Sequence, residues 1–243
     1  MDYQALHREI LKIAPRNKNL MIDRMTPVDN GGSNLGIRVP VVKKFVSNFH
    51  QKEKPTFKEA VFLADECFKQ KITEEIIFAI ELTAKYKEAR DVKFWNHATG
   101  WIKYLTNWEN CDRLCGVILG KILLQNPELA VELEKWSKDK FYWRRRCAIV
   151  SFIVPLAFEG KNKLYGQSKF IKSCLGICAR LGNDPNLYTQ KAVGWPIREI
   201  TKWGGRDLTF NWLVKNKNKL SGFVFHASLE KFSPKDKSSL KAL

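Results

Sequence analysis

Apolar residues recur every three to four positions through segment after segment, and strict two-residue alternation is nowhere sustained. That period predicts helices near Tyr3–Ala14, Pro40–Phe49, Thr56–Gln70, Thr73–Tyr86, Asp91–Leu105 and Glu109–Leu124. It continues through Glu128–Trp136, Tyr142–Phe158, Leu164–Leu181, Leu187–Trp203, Asp207–Lys215 and Ser221–Phe232. Several starts carry capping chemistry. "KPTFKEA" sets Thr56 three residues before Glu59, a capping box in which two side chains satisfy the orphan donors of a first turn. "QNPELA" places Asn126 ahead of Pro127 and Glu128, a second start signal. Short connections pair the helices into units of roughly 35–45 residues, the length range of helical solenoids. There are too many helices for a four-helix core, so the expected fold class is all-α, a curved solenoid whose concave face can cradle something long.

Between the helices, "VDNGGSNLG", Val28 to Gly36, is the clearest flexible loop. It lacks the Gly-Lys-Ser/Thr ending of a P-loop. The tail "SPKDKSSLKAL" is expected to be frayed and basic from about residue 234, with 1–243 forming one domain. The longest apolar run, "CAIVSFIVPLAF", is too short to span a bilayer and is interrupted by Pro155. The N-terminus has no signal-peptide stretch, so a cytoplasmic protein with no membrane partner is expected.

Charge changes the picture. Forty-two Lys and Arg stand against twenty-five acids, a formal +17 with a pI near 9.6. Such an excess suits a polyanion, nucleic acid first and an anionic membrane second, with an unspecific solvated surface as the bland alternative. The excess is concentrated: from Lys135 to Lys172 there are ten Lys/Arg and only two acids, Asp139 and Glu159. The six cysteines include no CxxC. The i, i+4 pairs Cys111/Cys115 and Cys174/Cys178 match no zinc pattern, so buried thiols and no metal are expected.

Eight tryptophans are available, and most are expected in the core. Two stand beside charge at helical spacing. Trp108 has Asp112 at i+4, so an indole and a carboxylate share one helix face. Trp195, in "QKAVGWPIREI", has Arg198 at i+3 and Lys191 four residues before it. Core packing of Trp108, with Asp112 paired to Arg113 or a neighbouring helix, remains open on these residues alone, as does plain packing of Trp195. Pro196 predicts a kink just after Trp195. "FYWRRRCAIVSF" begins a third helix with Arg144, Arg145 and Arg146, which fan out by about 100° each and cannot share a face. A solvated helix start is the bland reading of these arginines, although positive charge there opposes the helix dipole and asks for an explanation. The histidines His7, His50, His97 and His226 are scattered and take no role.

A carboxylate, two indoles and arginines suit one reaction well. Arginines grip phosphates, indole faces favour a sugar or a cation, and a lone carboxylate stabilises positive charge in a transition state. Ordinary glycoside hydrolysis needs a second carboxyl as acid for the leaving group. A purine alkylated at N3 or N7 is already cationic and leaves as a neutral base, so one carboxylate suffices for its N-glycosidic bond.

The sequence resembles the AlkD family of DNA alkylation-repair glycosylases, which are built from HEAT-like helical repeats. The resemblance is carried by "LGIRVPVVKKFV", "WENCDRLCGVILGKILLQNPEL", "WRRRCAIVSF" and, most specifically, "QKAVGWPIREI". It implies a concave basic face formed by HEAT-like pairs, a catalytic carboxylate at Asp112, and sugar-contacting indoles at Trp108 and Trp195. It also implies DNA-backbone contacts from Arg146 and Arg198, to which the basic neighbours Arg145 and Lys191 are added. The implied activity is base excision repair of N3- and N7-alkylated purines, 3-methyladenine and 7-methylguanine among them, in double-stranded DNA. The implied lesion stays in the duplex, with no cofactor and no metal, and the protein acts as a monomer at the bacterial nucleoid. Two other classes remain: a catalytically silent relative that binds bent or branched DNA, and a HEAT-type scaffold for an acidic protein.

Overall fold

The computed structural model describes residues 2–15 and 27–242. Among them the fold is all-α, with no β-strand and a single isolated bridge between Ser33 and Ile72. No single helix is long and apolar enough to cross a membrane. The packing divides the chain into two compact units, Met1–Ile122 and Leu123–Leu243, within the stretch read from sequence as one domain.

The first unit holds α1 (Tyr3–Lys12), α2 (Val39–Glu53), α3 (Phe57–Gln70), α4 (Thr73–Thr83), α5 (Trp95–Gly100) and α6 (Trp108–Leu114). Its centre is α4, "TEEIIFAIELT", which is buried nearly all round and packs against α2, α3 and α6. A helix with that pattern has no face to offer water. The expected capping box is present: the Thr56 side chain accepts from the Glu59 N–H, and the Glu59 carboxylate accepts from the Thr56 N–H at 2.7 Å. The helix expected over Asp91–Leu105 is instead broken into 3₁₀ turns on either side of α5, because Asp91 turns its carboxylate onto the Lys93 N–H.

The loop 28–36, expected to be flexible, is pinned at several points. Asp29 N–H donates to the Thr106 carbonyl at 2.8 Å, and the Asn30 amide donates to the carbonyls of Lys103 and Leu105. The Glu74 carboxylate, 1% exposed, accepts from the N–H groups of Leu35 and Ile37. Burial pushes the Glu74 carboxyl up, while those N–H groups hold it down. Gly32 is needed for this docking, since a Cβ there would lie 2.5 Å from the Thr106 side chain. The loop thus buttresses the segment that leads into Trp108.

A helical run follows α6 through a π-turn at Cys115–Leu119 into α7 (Gly120–Gln125). The second unit then holds α8 (Ala130–Trp136), α9 (Tyr142–Val150), α10 (Ile153–Lys161), α11 (Ile171–Leu181), α12 (Leu187–Lys202), α13 (Arg206–Asn216), α14 (Gly222–Ser228) and α15 (Pro234–Ala242). Its hub is α12, which packs on α9, α10, α11, α13 and α14. The helix expected over Tyr142–Phe158 stops at Val150 and restarts at Ile153. Pro155 thereby falls in a first turn, where its missing N–H costs nothing. Conversely, α12 runs on through Pro196, which is buried inside it. The expected frayed tail is a correction: 234–242 form α15, held by Leu240 at 0% exposure and by Arg206, whose Nε donates to Asp236 at 3.0 Å. All six cysteines are buried.

Candidate active site

In the first unit, α6 is started by Asn107, which is buried and extended (φ −158°, ψ 170°). Its side-chain oxygen accepts from the Asn110 N–H at 2.9 Å, and its amide donates to Thr73 Oγ1 at 2.8 Å. This cap ties the first turn of α6 to the first residue of the hub helix, so Trp108 leaves a fixed point. From Trp108 to Leu124 the positions that are not buried are 108, 109, 112, 113, 116, 117, 121 and 124. They form one stripe along a continuous helical run. The π-turn inserts the extra residue that keeps later positions on this side, a device common at functional sites.

Trp108 and Asp112 are therefore brought together on one half-exposed face, as their spacing predicts. Arg113 takes other carboxylates: its Nη1 donates to Glu81 at 2.5 Å, and its Nη2 lies 3.7 Å from Glu109. Burial raises the Glu109 carboxyl above its ordinary value. Arg113 opposes that rise, and the charges of Glu74 and Asp112 add to it. One turn beyond Asp112, Gly116 has nothing within 4 Å of where a Cβ would stand. The stripe therefore reads indole, carboxylate, open floor. A flat apolar ring beside a charge-stabilising carboxylate, with room above the next turn, suits a sugar that becomes cationic.

In the second unit, the positions of α12 from 191 to 202 that are not buried are Lys191, Trp195, Arg198, Glu199 and Lys202. Glu199 is taken by the Trp203 indole N–H at 2.5 Å, which leaves the stripe cationic around Trp195. Lys191 is exposed, with its Nζ 5.4 Å from the centre of the Tyr188 ring. Arg198 lies across Gly194, where an added Cβ would come 2.9 Å from its Nη1. It donates to the Ala227 carbonyl at 3.2 Å and pairs with Glu230 at 3.2 Å.

The three arginines of α9 part company as the 100° fan requires. Arg144 lies 3.7 Å from Asp139, with its guanidinium over the Trp136 ring. Arg145, expected beside the DNA backbone, is engaged within the fold. Its Nε and Nη2 form a bidentate pair with Asp184 at 2.6 and 2.9 Å, and its Nη1 donates to the carbonyls of Asp139 and Lys140. With its donors turned onto protein acceptors and 13% of its side chain exposed, it is a clamp within the fold. Arg146 is 5% exposed and donates to the Tyr188 carbonyl, bracing α9 against the first turn of α12. Asp139 and Asp184 supply the compensation that positive charge at a helix start requires. Trp95, Trp101, Trp136 and Trp143 are buried, while the other four tryptophans keep some surface.

The family model described as "DNA alkylation repair enzyme" matches residues 9–232. The chain belongs to the DNA alkylation repair enzyme family. Both stripes lie inside the matched span, and the family makes DNA the substrate and repair of alkylation damage the role. No curated protein matches the chain. Sequence reasoning missed the buried Asn107 cap and the partners Asp184 and Glu230. The Asn-Trp-Glu-Asn order was a readable start signal for α6; the two acids, distant along the chain, were not readable.

Proposed function

We propose that this DNA alkylation repair enzyme is a glycosylase that hydrolyses the N-glycosidic bond of N3- and N7-alkylated purines in duplex DNA. The observation that carries the reading is the stripe of Trp108, Asp112 and the open turn at Gly116. The C1′–N bond breaks, and its electron pair neutralises the cationic purine. Asp112 stabilises the oxocarbenium-like sugar and takes a proton as water adds its oxygen to C1′. Trp108 lies against the sugar, and Trp195 supplies the second indole of the HEAT-like family that the sequence resembles. Lys191 and Arg198 grip phosphates, with Arg146 holding α12 in place from behind. Arg145 leaves this set. Incubating the full chain with duplex DNA carrying 7-methylguanine, beside the same duplex carrying an uncharged lesion, tests the proposal. Free 7-methylguanine should appear in solution while the uncharged base stays attached. Tight binding with neither base released would make the protein a silent DNA-binding relative.

A further inference from the structure

The stripe that begins at Trp108 does not end at Asp112. It runs on to Lys121, which is half-buried and lines a groove of about 370 Å³ with Lys43, Ser47, Glu81, Lys85 and Val117. Cations outnumber acids around this groove. Glu81 is its one carboxylate, and it is shared between Lys43 at 3.2 Å and Arg113 at 2.5 Å. Among the described residues no carboxylate lies within ion-pair distance of Lys85 or Lys121. Burial holds the Lys121 ammonium below its ordinary value; the positive charge of Arg90 adds to this and Glu81 opposes it. A partly desolvated ammonium among like charges is an incomplete arrangement. An anion with several oxygens, set between Lys85 and Lys121 with the Ser47 hydroxyl as a further donor, would complete it.

Position along the helix gives the anion a source. Thirteen residues separate Trp108 from Lys121, about 20 Å of helix rise. Duplex DNA carries one negative charge per about 1.7 Å of its axis, both strands counted, so a duplex held at Trp108 and Asp112 offers backbone phosphates on either side of the lesion. We infer that the Lys43/Lys85/Lys121 groove is a second phosphate site, one that grips the DNA backbone away from the lesion. The inference rests on the DNA-glycosylase reading of the stripe. It adds a contact that fixes where along the duplex Trp108 and Asp112 stand.

The test measures binding of the full chain to an undamaged 24-base-pair duplex across a salt series. It compares wild type, a Lys85→Gln/Lys121→Gln double variant and, as control, Lys58→Gln on the exposed side of α3. The double variant should bind about tenfold more weakly at low salt, with a salt slope shallower by about two, and the control should match wild type. Among neutral methylphosphonate patches stepped along both strands on either side of a 7-methylguanine, one should weaken wild type and leave the double variant indifferent. A double variant with the wild-type affinity and slope would mean that the lysines only extend into solvent, and would overturn the phosphate site alone. A wild type whose duplex binding ignores salt would overturn the DNA reading of the stripe itself. Retained circular dichroism of the double variant assigns any loss to charge and not to unfolding.

Discussion

Two half-buried tryptophans sit in opposite surroundings. Trp108 opens a short helix behind a buried asparagine cap, with carboxylates at 109 and 112 and cations at 113 and 121 along its stripe. Trp195 lies in the middle of the longest helix of the second unit, the hub on which five others pack, with Lys191, Arg198 and Lys202 along its stripe and Glu199 turned onto the Trp203 indole. A hub helix, in contrast, is well placed to carry load without moving. On the proposed reading, chemistry belongs to the first stripe and grip to the second.

The comparison sharpens when its parts are broken one at a time. The largest expected effect is on stability. Asp184→Ala strands the Arg145 guanidinium in a site where Asp184 is 3% and Arg145 13% exposed, and should cost about 3 kcal/mol. Urea unfolding measures this; an unchanged midpoint with weakened DNA binding would return Arg145 to the DNA surface. Next comes grip. Arg198→Gln should weaken duplex binding by up to about tenfold and lower the salt slope by about one. Glu230→Gln, which frees Arg198 from its 3.2 Å partner, should tighten binding. Equal shifts of the same sign in both variants would show that the pair acts only within the fold.

Smaller still is the effect at the open turn. Gly116→Ala meets nothing within 4 Å and should stabilise the helix by about 0.5–1 kcal/mol. If the stripe receives a sugar and its phosphates closely, the same methyl should slow excision, and a variant that gains stability with no kinetic penalty would move the substrate away from Gly116. The smallest effect concerns pH. Hydrogen bonding from Arg206 holds the Asp236 carboxyl below its ordinary value. The clamp on α15 is therefore fully present above the unfolded value of about 4 and is lost as pH falls through the lowered folded value. Amide exchange in Pro234–Ala242 should rise on acidification before the rest of the second unit opens, and Asp236→Asn should remove that early step.

Much of this was legible in one sequence, and what was not has a common cause. Helix periodicity, the Thr56 cap and the Trp108–Asp112 face are local, set by spacing within a turn or two. What was not legible depends on residues distant along the chain. Arg145 and Arg198 look alike in sequence, and only Asp184, thirty-nine residues from Arg145, spends one of them. The tail reads as frayed because its anchor is Arg206, thirty residues before Asp236. The loop 28–36 reads as flexible because Glu74, which gathers its N–H groups, lies beyond the next two helices. Pro155 and Pro196 show the same limit from inside a helix, since local sequence does not say which proline begins a helix and which is carried through one.

The division between chemistry and grip is tested most directly by single-turnover release of 7-methylguanine at saturating enzyme, with Asp112→Asn and Arg198→Gln side by side. The account predicts that Asp112→Asn stays about 10²–10³-fold slow however much enzyme is added, while Arg198→Gln climbs to the wild-type rate once the duplex is saturated. Full-rate release by Asp112→Asn, or an Arg198→Gln that remains slow at saturation, would contradict it.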